Sequence, residues 1–492
     1  MSTFGLSVVK INFLYLLLAI LLFPLVGVLI ALFPPTAVAL VGLFGGVLLF
    51  ILPIEAVMLI AIGLAPLSSL FIVKVGIFDF RFVQVLWLIV FARKVIQTLV
   101  ENRSFRLPRT DIWKPMVLLA LAALLSTIIS KQPQISTKEF VQLIYLFILF
   151  FTIATSFNQI NLLIKASSVL VIATLIVSII GLVTIYLGVS AIPTIEVDLL
   201  NNVHVNMDFA NITYSYTVEG FKVIRLQSVN LSSVATAAFL TQIILLVVSL
   251  FWFNDSNGFK INKIFYGIVL ILSSYAWFLT NSRAAMVSLF ILLFFAIVIS
   301  GRRRNIGIIF VLVFLVVLIG APSFSRLKDS FILEASTNPG HIALWYEAVK
   351  LFVRNSLFGI GIGMFPVIVT DYLWFQNIQT YTSGLNDVHN MFLKTAAEMG
   401  VLGLGALIWF FYIFLKDLWN SYQHSKGQTQ SAIILGFFLA ACAGVLMNLT
   451  ANIFAKEYTW TIWGLAYAAA LISTNIEPLP SASEQPNSRT AV

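Results

Sequence analysis

The sequence predicts an all-α fold: a polytopic transmembrane helical bundle of about 12–14 spans with a long, partly helical loop on the outer membrane face. Three observations predict it. The chain is 60% hydrophobic and 10% charged, whereas soluble domains carry about a quarter charged residues. Apolar runs of about 17 residues or more, enough to cross hydrocarbon, recur from Ile11 to Ser473. These runs are continuously apolar, which excludes the alternating pattern of a membrane β-barrel, the other structure that satisfies its backbone in lipid.

The first three expected helices, 12–32, 36–52 and 54–73, are punctuated by Pro34, Pro35 and Pro53, which leave a hairpin or re-entrant pair open in place of full crossings. Apolar runs then predict helices at 82–99, 115–130, 139–156 and 163–188. A second group falls at 230–253, 262–280, 284–300 and 305–321, and a third at 400–416, 431–449 and 459–474.

Orientation follows from lysine and arginine bias in short loops. Segment 93–114 holds Arg93, Lys94, Arg103, Arg106, Arg109 and Lys114 against Glu101 and Asp111, and 302–304 is Arg-Arg-Arg, so both are expected in the cytoplasm. Alternating the spans from these anchors puts 189–229 and 322–399 on the outer face and both termini inside, with an even number of crossings. The expected organisation is one membrane domain over 1–475, two long outer loops at 189–229 and 322–399, and a polar, disordered cytoplasmic tail at 476–492. The formal charge of +9 is then mostly topology, with no argument for nucleic acid binding. Cys442 is the single cysteine, which excludes disulfides within the chain and cysteine-rich metal sites. No cleavable signal peptide is expected, since the first apolar run has no small-residue cleavage site.

The outer loop 322–399 concentrates the chemistry. From His341 to Phe358, apolar Ile342, Trp345, Val349 and Phe352 recur at helical spacing with Glu347, Lys350 and Arg354 on other faces, an amphipathic helix expected to lie in the interface. Gly359, Gly361 and Gly363 allow a turn and close approach of a ligand or a neighbouring helix. Asn386 or Asp387 is expected to cap a helix running through Glu398, with Gly400 ending or kinking it, which sets His389 in the first turn. A neutral imidazole there can accept a proton from a hydroxyl. His204, in the other outer loop, is the second choice, while His341 and His424 have no comparable surroundings in sequence.

Arg283 stands at a tight outer turn between two apolar runs, and Arg225 at the outer entrance to another. The planar guanidinium fork matches phosphate oxygens. The bland alternatives are a satisfied interfacial histidine and arginines snorkelling to headgroups, but two arginines on one face with a candidate base is the less ordinary arrangement. Glu398 can orient His389 or pair with an arginine; Lys350 and Arg354 can assist a phosphate group or anchor the interface.

At these residues the chain resembles the O-antigen ligase and O-antigen polymerase family of bacterial membrane proteins. The resemblance rests on Ser282-Arg283 between spans, Trp345 leading into Gly359, Gly361, Gly363 and Phe365, then His389-Asn390, then Glu398 and Gly400, and covers roughly 200–416. It implies a metal-independent, cofactor-free glycosyltransferase on the outer face of the bacterial inner (plasma) membrane. Its donor would be an undecaprenyl-diphosphate-linked oligosaccharide and its acceptor a glycan or lipid hydroxyl, with a chain-length regulator as a further partner. His389 would activate the acceptor hydroxyl and Arg225 and Arg283 would grip the diphosphate, with Glu398 in the catalytic group and Lys350, Arg354, Gly361, Gly363 and Asn390 in the substrate site. Two departures stand out: family members often have an arginine where His341 stands, and a glycine and an asparagine-proline pair soon after the arginine matching Arg225, where this chain reads RLQSVNLSS. Polymerase and ligase need the same grip and base; nothing identifies a lipid A core acceptor, which favours a polymerase. The competing class is a secondary transporter of a small anion such as bicarbonate, which should carry ionisable groups at midplane, whereas the spans after residue 115 hold almost none there.

Overall fold

A computed structural model of the chain describes residues 51–100, 110–188, 191–198, 204–211, 213–218, 221–253, 263–300, 338–370, 387–425 and 428–473. The expected helices 12–32, 36–52 and 305–321 and the polar tail lie outside the described residues. Of the described helices, α1 is Ile54–Leu64, α2 Phe82–Val100, α3 Trp113–Ile128, α4 Pro133–Ser156 and α5 Ile160–Tyr186. Helices α6 (Ser233–Phe253), α7 (Lys263–Leu279) and α8 (Arg283–Ser300) follow. The last group is α9 (Asn338–Arg354), the short α10 (Phe365–Thr370), α11 (Met391–Gln423), α12 (Gln428–Met447) and α13 (Glu457–Ser473). Among the described residues six helices are long and apolar enough to cross a membrane (α2, α4, α5, α6, α11 and α12), and shorter apolar helices occupy Ile54–Leu70, Trp113–Ile128, Lys263–Leu279 and Arg283–Ile299. The chain is a multi-pass membrane protein with an all-α bundle.

Two expectations needed correction. The helix expected over 54–73 stops at Leu64: Pro66 removes a donor, a 3-10 turn spans Ala65–Leu70, and the chain turns into β1 (Phe71–Val75) and β2 (Phe78–Arg81). The segment 189–229, expected as a long loop, carries strands among its described residues. Its strands β3 (Ala191–Asp198) and β4 (His204–Asn211) form a sheet with the first two in the order β2-β1-β3-β4, with β1 and β3 parallel. Strands β5 (Thr213–Val218) and β6 (Phe221–Leu226) make a separate antiparallel hairpin, with Arg225 paired to Tyr214. A reading tuned to long apolar runs passes over such short β segments.

In the bundle α6 packs on α12, α4 on α13, and α3 on α11. The core between α4, α11 and α13 is aromatic: Phe150 lies edge-on to Phe410, Phe414 and Trp460, and Phe410 stacks on Phe414 with centroids 5.7 Å apart. Such pairs add about 0.5–1.5 kcal/mol each beyond area burial, which fixes the axis of α11 beneath its kink.

Helix α11 runs through the helix expected to end at Glu398 and the span expected at 400–416, joined across a kink at Gly400 (φ 66°, ψ −162°). The segment after α9 crosses this kink. Ile360 donates to the Ala397 carbonyl at 3.0 Å, Gly361 to Glu398 at 3.1 Å, and Val401 to Ser356 at 2.7 Å. A Cβ on Gly359 would lie 2.2 Å from the Glu398 carbonyl, and one on Gly400 2.4 Å from that of Leu357. Both glycines also sit at positive φ, so neither tolerates a side chain. Gly400→Ala is therefore expected to destabilise the protein by more than about 2 kcal/mol, read as a lowered unfolding midpoint in detergent; an unchanged midpoint would mean that the crossing can open at little cost.

Candidate active site

The site is built around an imidazole held in a strained backbone. His389 has φ 52°, a left-handed conformation uncommon outside glycine, which persists only where the surroundings impose it. On its N-terminal side, Trp345 Nε1 of α9 donates to the Val388 carbonyl at 2.9 Å, and the Val388 N–H donates to Asp387 Oδ1 at 2.8 Å. On its C-terminal side, Asn390 caps α11, its side chain accepting the Leu393 N–H at 3.1 Å, and the Met391 N–H donates to the Asn448 carbonyl at 2.9 Å. The cap is thus Asn390, where Asn386 or Asp387 had been expected. His389 precedes the helix because its φ cannot join one.

Asp387 is anchored in turn, by Lys394 Nζ at 3.0 Å and Asn452 Nδ2 at 2.5 Å. Burial pushes its carboxyl upward, but Lys394, Asn452 and the Val388 N–H together hold it below its ordinary value. Asp387 is therefore ionised at neutral pH and close enough to act on His389. For His389 burial is the largest influence and lowers its pKa; Asp387 opposes this and Lys394 adds to it, and the net shift is downward. The imidazole is neutral at physiological pH.

Across from it stands His341, on the first turns of α9, its ring edge-to-face with that of His389 at 5.1 Å. Burial pushes His341 down to about 4, helped by the neighbouring His389 and the positive charge of Arg283. That influence puts Arg283, the first residue of α8, at the same site. Arg225 joins it through the turn ahead of α8: its Nε donates to the Thr280 carbonyl at 2.9 Å, and Asn281 in that turn has φ 51°. Arg225 is thus held against the turn that leads into Arg283, and Arg283 lies within electrostatic reach of His341, whose ring meets that of His389.

The other expected residues sit differently. The Glu398 carboxylate accepts the N–H groups of Phe365, at 3.2 Å, and Gly363, so it fastens the glycine loop from below. Gly361 packs against Ser130 and Gly363 against Glu139, so the room a side chain would need at either position is already filled. On α9, Lys350 pairs with Glu347 at 3.2 Å and Arg354 is exposed. The face of α9 turned to its neighbours holds Leu344, Ala348, Leu351 and the buried Glu347, while Ile342, Tyr346, Val349 and Val353 are exposed. Trp345 is therefore a strut to Val388, where the sequence had placed it on the interfacial face. His204 lies in β4 and His424 caps the far end of α11.

Sequence reasoning missed His341, Asp387, Lys394 and Asn452. His341 stands one helical turn before Trp345 on the same face, a signal that was present. Asn452 comes from the loop after α12 and carried none. Among the described residues no group of three or more His, Cys, Asp or Glu is arranged to hold a metal ion.

Residues 268–408 match the family model described as O-antigen ligase. The match spans Arg283, His341, the glycine loop, His389 and Glu398, and leaves Arg225 outside. No protein of curated function matches the chain.

Both imidazoles titrate below their ordinary value near 6.5, so on acidification the unfolded chain takes up protons that the folded one refuses. Their contribution is full above pH 6.5 and is lost as pH falls toward about 4, the value for His341. His341→Gln should flatten the fall of the unfolding midpoint between pH 6.5 and 4; an unchanged slope would show that His341 is not held neutral by the fold.

Proposed function

We propose that this chain, a member of the O-antigen ligase family through residues 268–408, transfers glycan from an undecaprenyl-diphosphate donor to an acceptor hydroxyl on the periplasmic face of the bacterial inner membrane. The observation that supports the reading is a neutral, strained His389 with its ring against His341, while Arg283 lies within electrostatic reach of His341 and Arg225 bonds to the turn ahead of Arg283.

In this reading His389 takes the proton of the acceptor hydroxyl as its oxygen attacks the anomeric carbon of the donor. The bond from that carbon to the diphosphate breaks, undecaprenyl diphosphate leaves, and the imidazolium later gives its proton to solvent. Charge develops on the departing diphosphate, and Arg283 and Arg225 stabilise it there, a contribution that in such chemistry is commonly the largest. Asp387 steadies the imidazolium that forms, and His341, neutral, keeps the space beside His389 free of a competing cation. Glu398, Gly361 and Gly363 act by holding the loop, and Asn390 by fixing the backbone from which His389 projects. Lys350 and Arg354 lie along α9, where they serve a diphosphate only at the edge of the site. The full count of about 12–14 spans, cytoplasmic termini and a chain-length regulator as partner belong to the same proposal, with a polymerase favoured over a ligase.

The test is transfer by the purified protein in proteoliposomes supplied with lipid-linked glycan. His389→Ala should lower the rate by about a hundredfold or more while the protein inserts normally; full activity would remove His389 as the base. Arg283→Lys, which keeps charge and loses the fork, should lower it by about tenfold or more; near-normal turnover would make Arg283 a membrane anchor.

A further inference from the structure

A second polar cluster sits at the same end of the bundle as His389 and plays no part in the chemistry above. At its centre the fully buried carboxylate of Glu457, the first residue of α13, accepts three side-chain hydrogen bonds. Its Oε2 accepts from Arg81 NH1 at 2.5 Å and Ser68 Oγ at 3.0 Å, and its Oε1 from Gln84 Nε2 at 2.9 Å. Gln84 is held in turn by the Arg81 N–H, which donates to its Oε1 at 3.1 Å, and by Gln142 Oε1 at 3.1 Å. The cluster's one carboxylate thus already accepts three hydrogen bonds, including the charge-assisted one from Arg81.

It has two cations. Lys456 is the residue before Glu457, close enough to Arg81 and Glu457 to be affected by both charges. Its ammonium has no hydrogen-bond or ion-pair partner among the described residues, and Arg81, 27% exposed, gives only NH1 to Glu457, leaving its other guanidinium donors without a protein acceptor among them. The Tyr145 hydroxyl, in electrostatic reach of the same Arg81 and Glu457, is buried and also lacks a partner. The neighbouring lysines are already matched: Lys138 pairs with Asp79 and Lys74 with Glu196 at 2.5 Å. One net positive charge with unfilled donors thus remains, carried by a partly buried ammonium and a partly exposed guanidinium. Burying a cation in this way is costly unless something pairs with it.

The cluster is wired to the first site through one loop. Residues 448–456 begin with Asn448, whose carbonyl accepts the Met391 N–H, and continue with Asn452, which holds Asp387. The same loop ends on Lys456. We propose that Lys456 and Arg81 form a second anion subsite that binds a phosphate group, separate from the Arg225 and Arg283 grip. Its occupant neutralises the surplus charge and takes the open ammonium and guanidinium donors. Two sources share that chemistry: a phosphate carried by a soluble or glycan ligand, and the headgroup of an anionic phospholipid.

The experiment is calorimetric titration of the full chain, purified in neutral detergent, with inorganic phosphate. Phosphate binding that survives Arg283→Gln is expected, weakened tenfold or more by Lys456→Gln and retained by Lys456→Arg, which also shows that the position tolerates substitution. Equal binding by the Lys456→Gln protein, or no binding by the Arg283→Gln protein, overturns the subsite. Repeating the titration in nanodiscs separates the sources. Binding lost only when phosphatidylglycerol replaces phosphatidylcholine assigns a headgroup, and binding kept in both assigns a phosphate-bearing soluble or glycan ligand. No glycan transfer is measured, so these outcomes stand whether or not the transferase reading holds.

Discussion

The crossing of two backbones at Gly359 and Gly400 is the constraint on which the candidate site depends. Where the chain leaves α9 it passes over the kink of α11 at a distance that excludes any side chain, and three main-chain hydrogen bonds tie the two strands of the crossing together. Because α11 is locked below by aromatic packing against α4 and α13, the crossing transfers that rigidity outward to the loop. The segment before α11 inherits it: Trp345 on α9 and Asn448 after α12 grip the residues on either side of His389. The strained φ of that histidine is what such a frame can impose, and free chain could not keep it.

Electrostatics at the site follow from burial more than from any one ion pair. Taking His341 and His389 from water lowers both, and the Asp387–Lys394 pair beside His389 acts in opposing directions on it. Both imidazoles are thereby held below the ordinary value near 6.5 at which a surface histidine protonates. A neutral His341 has a second consequence. Beside the Asp387–Lys394 pair, positive charge comes from the arginines, which sit on separate elements, β6 and the start of α8, joined at the turn that holds Thr280.

Much of this was legible in the sequence, for reasons that differ from residue to residue. Long apolar runs are set by the thickness of hydrocarbon, so most helix positions could be read directly. His389 and Arg283 stand out in sequence because polar groups clustered at the ends of apolar runs are costly without a task, and Gly400 because a glycine between an amphipathic segment and a span marks a kink; Glu398 stands out for the first reason too, but it binds the glycine loop where a contact to His389 or an arginine is expected. The partnership of His341 with His389 was not read, since it depends on the docking of α9 on α11, which sequence spacing does not reveal. Asn452 and Asn448 were illegible for the same reason, being brought in by the loop after α12. The strands at 71–81 and 191–226 escaped because short β segments outside the bilayer carry little periodic signal next to runs of twenty apolar residues.

The central claim is that this constellation extends or transfers lipid-linked glycan. The most direct measurement is the length distribution of undecaprenyl-diphosphate-linked glycan in the native host with the chain deleted. A polymerase leaves only single repeat units on the lipid, and a ligase leaves long chains stranded there; the account predicts the first and is compatible with the second. An unchanged distribution would contradict it and turn attention to transport of a small anion.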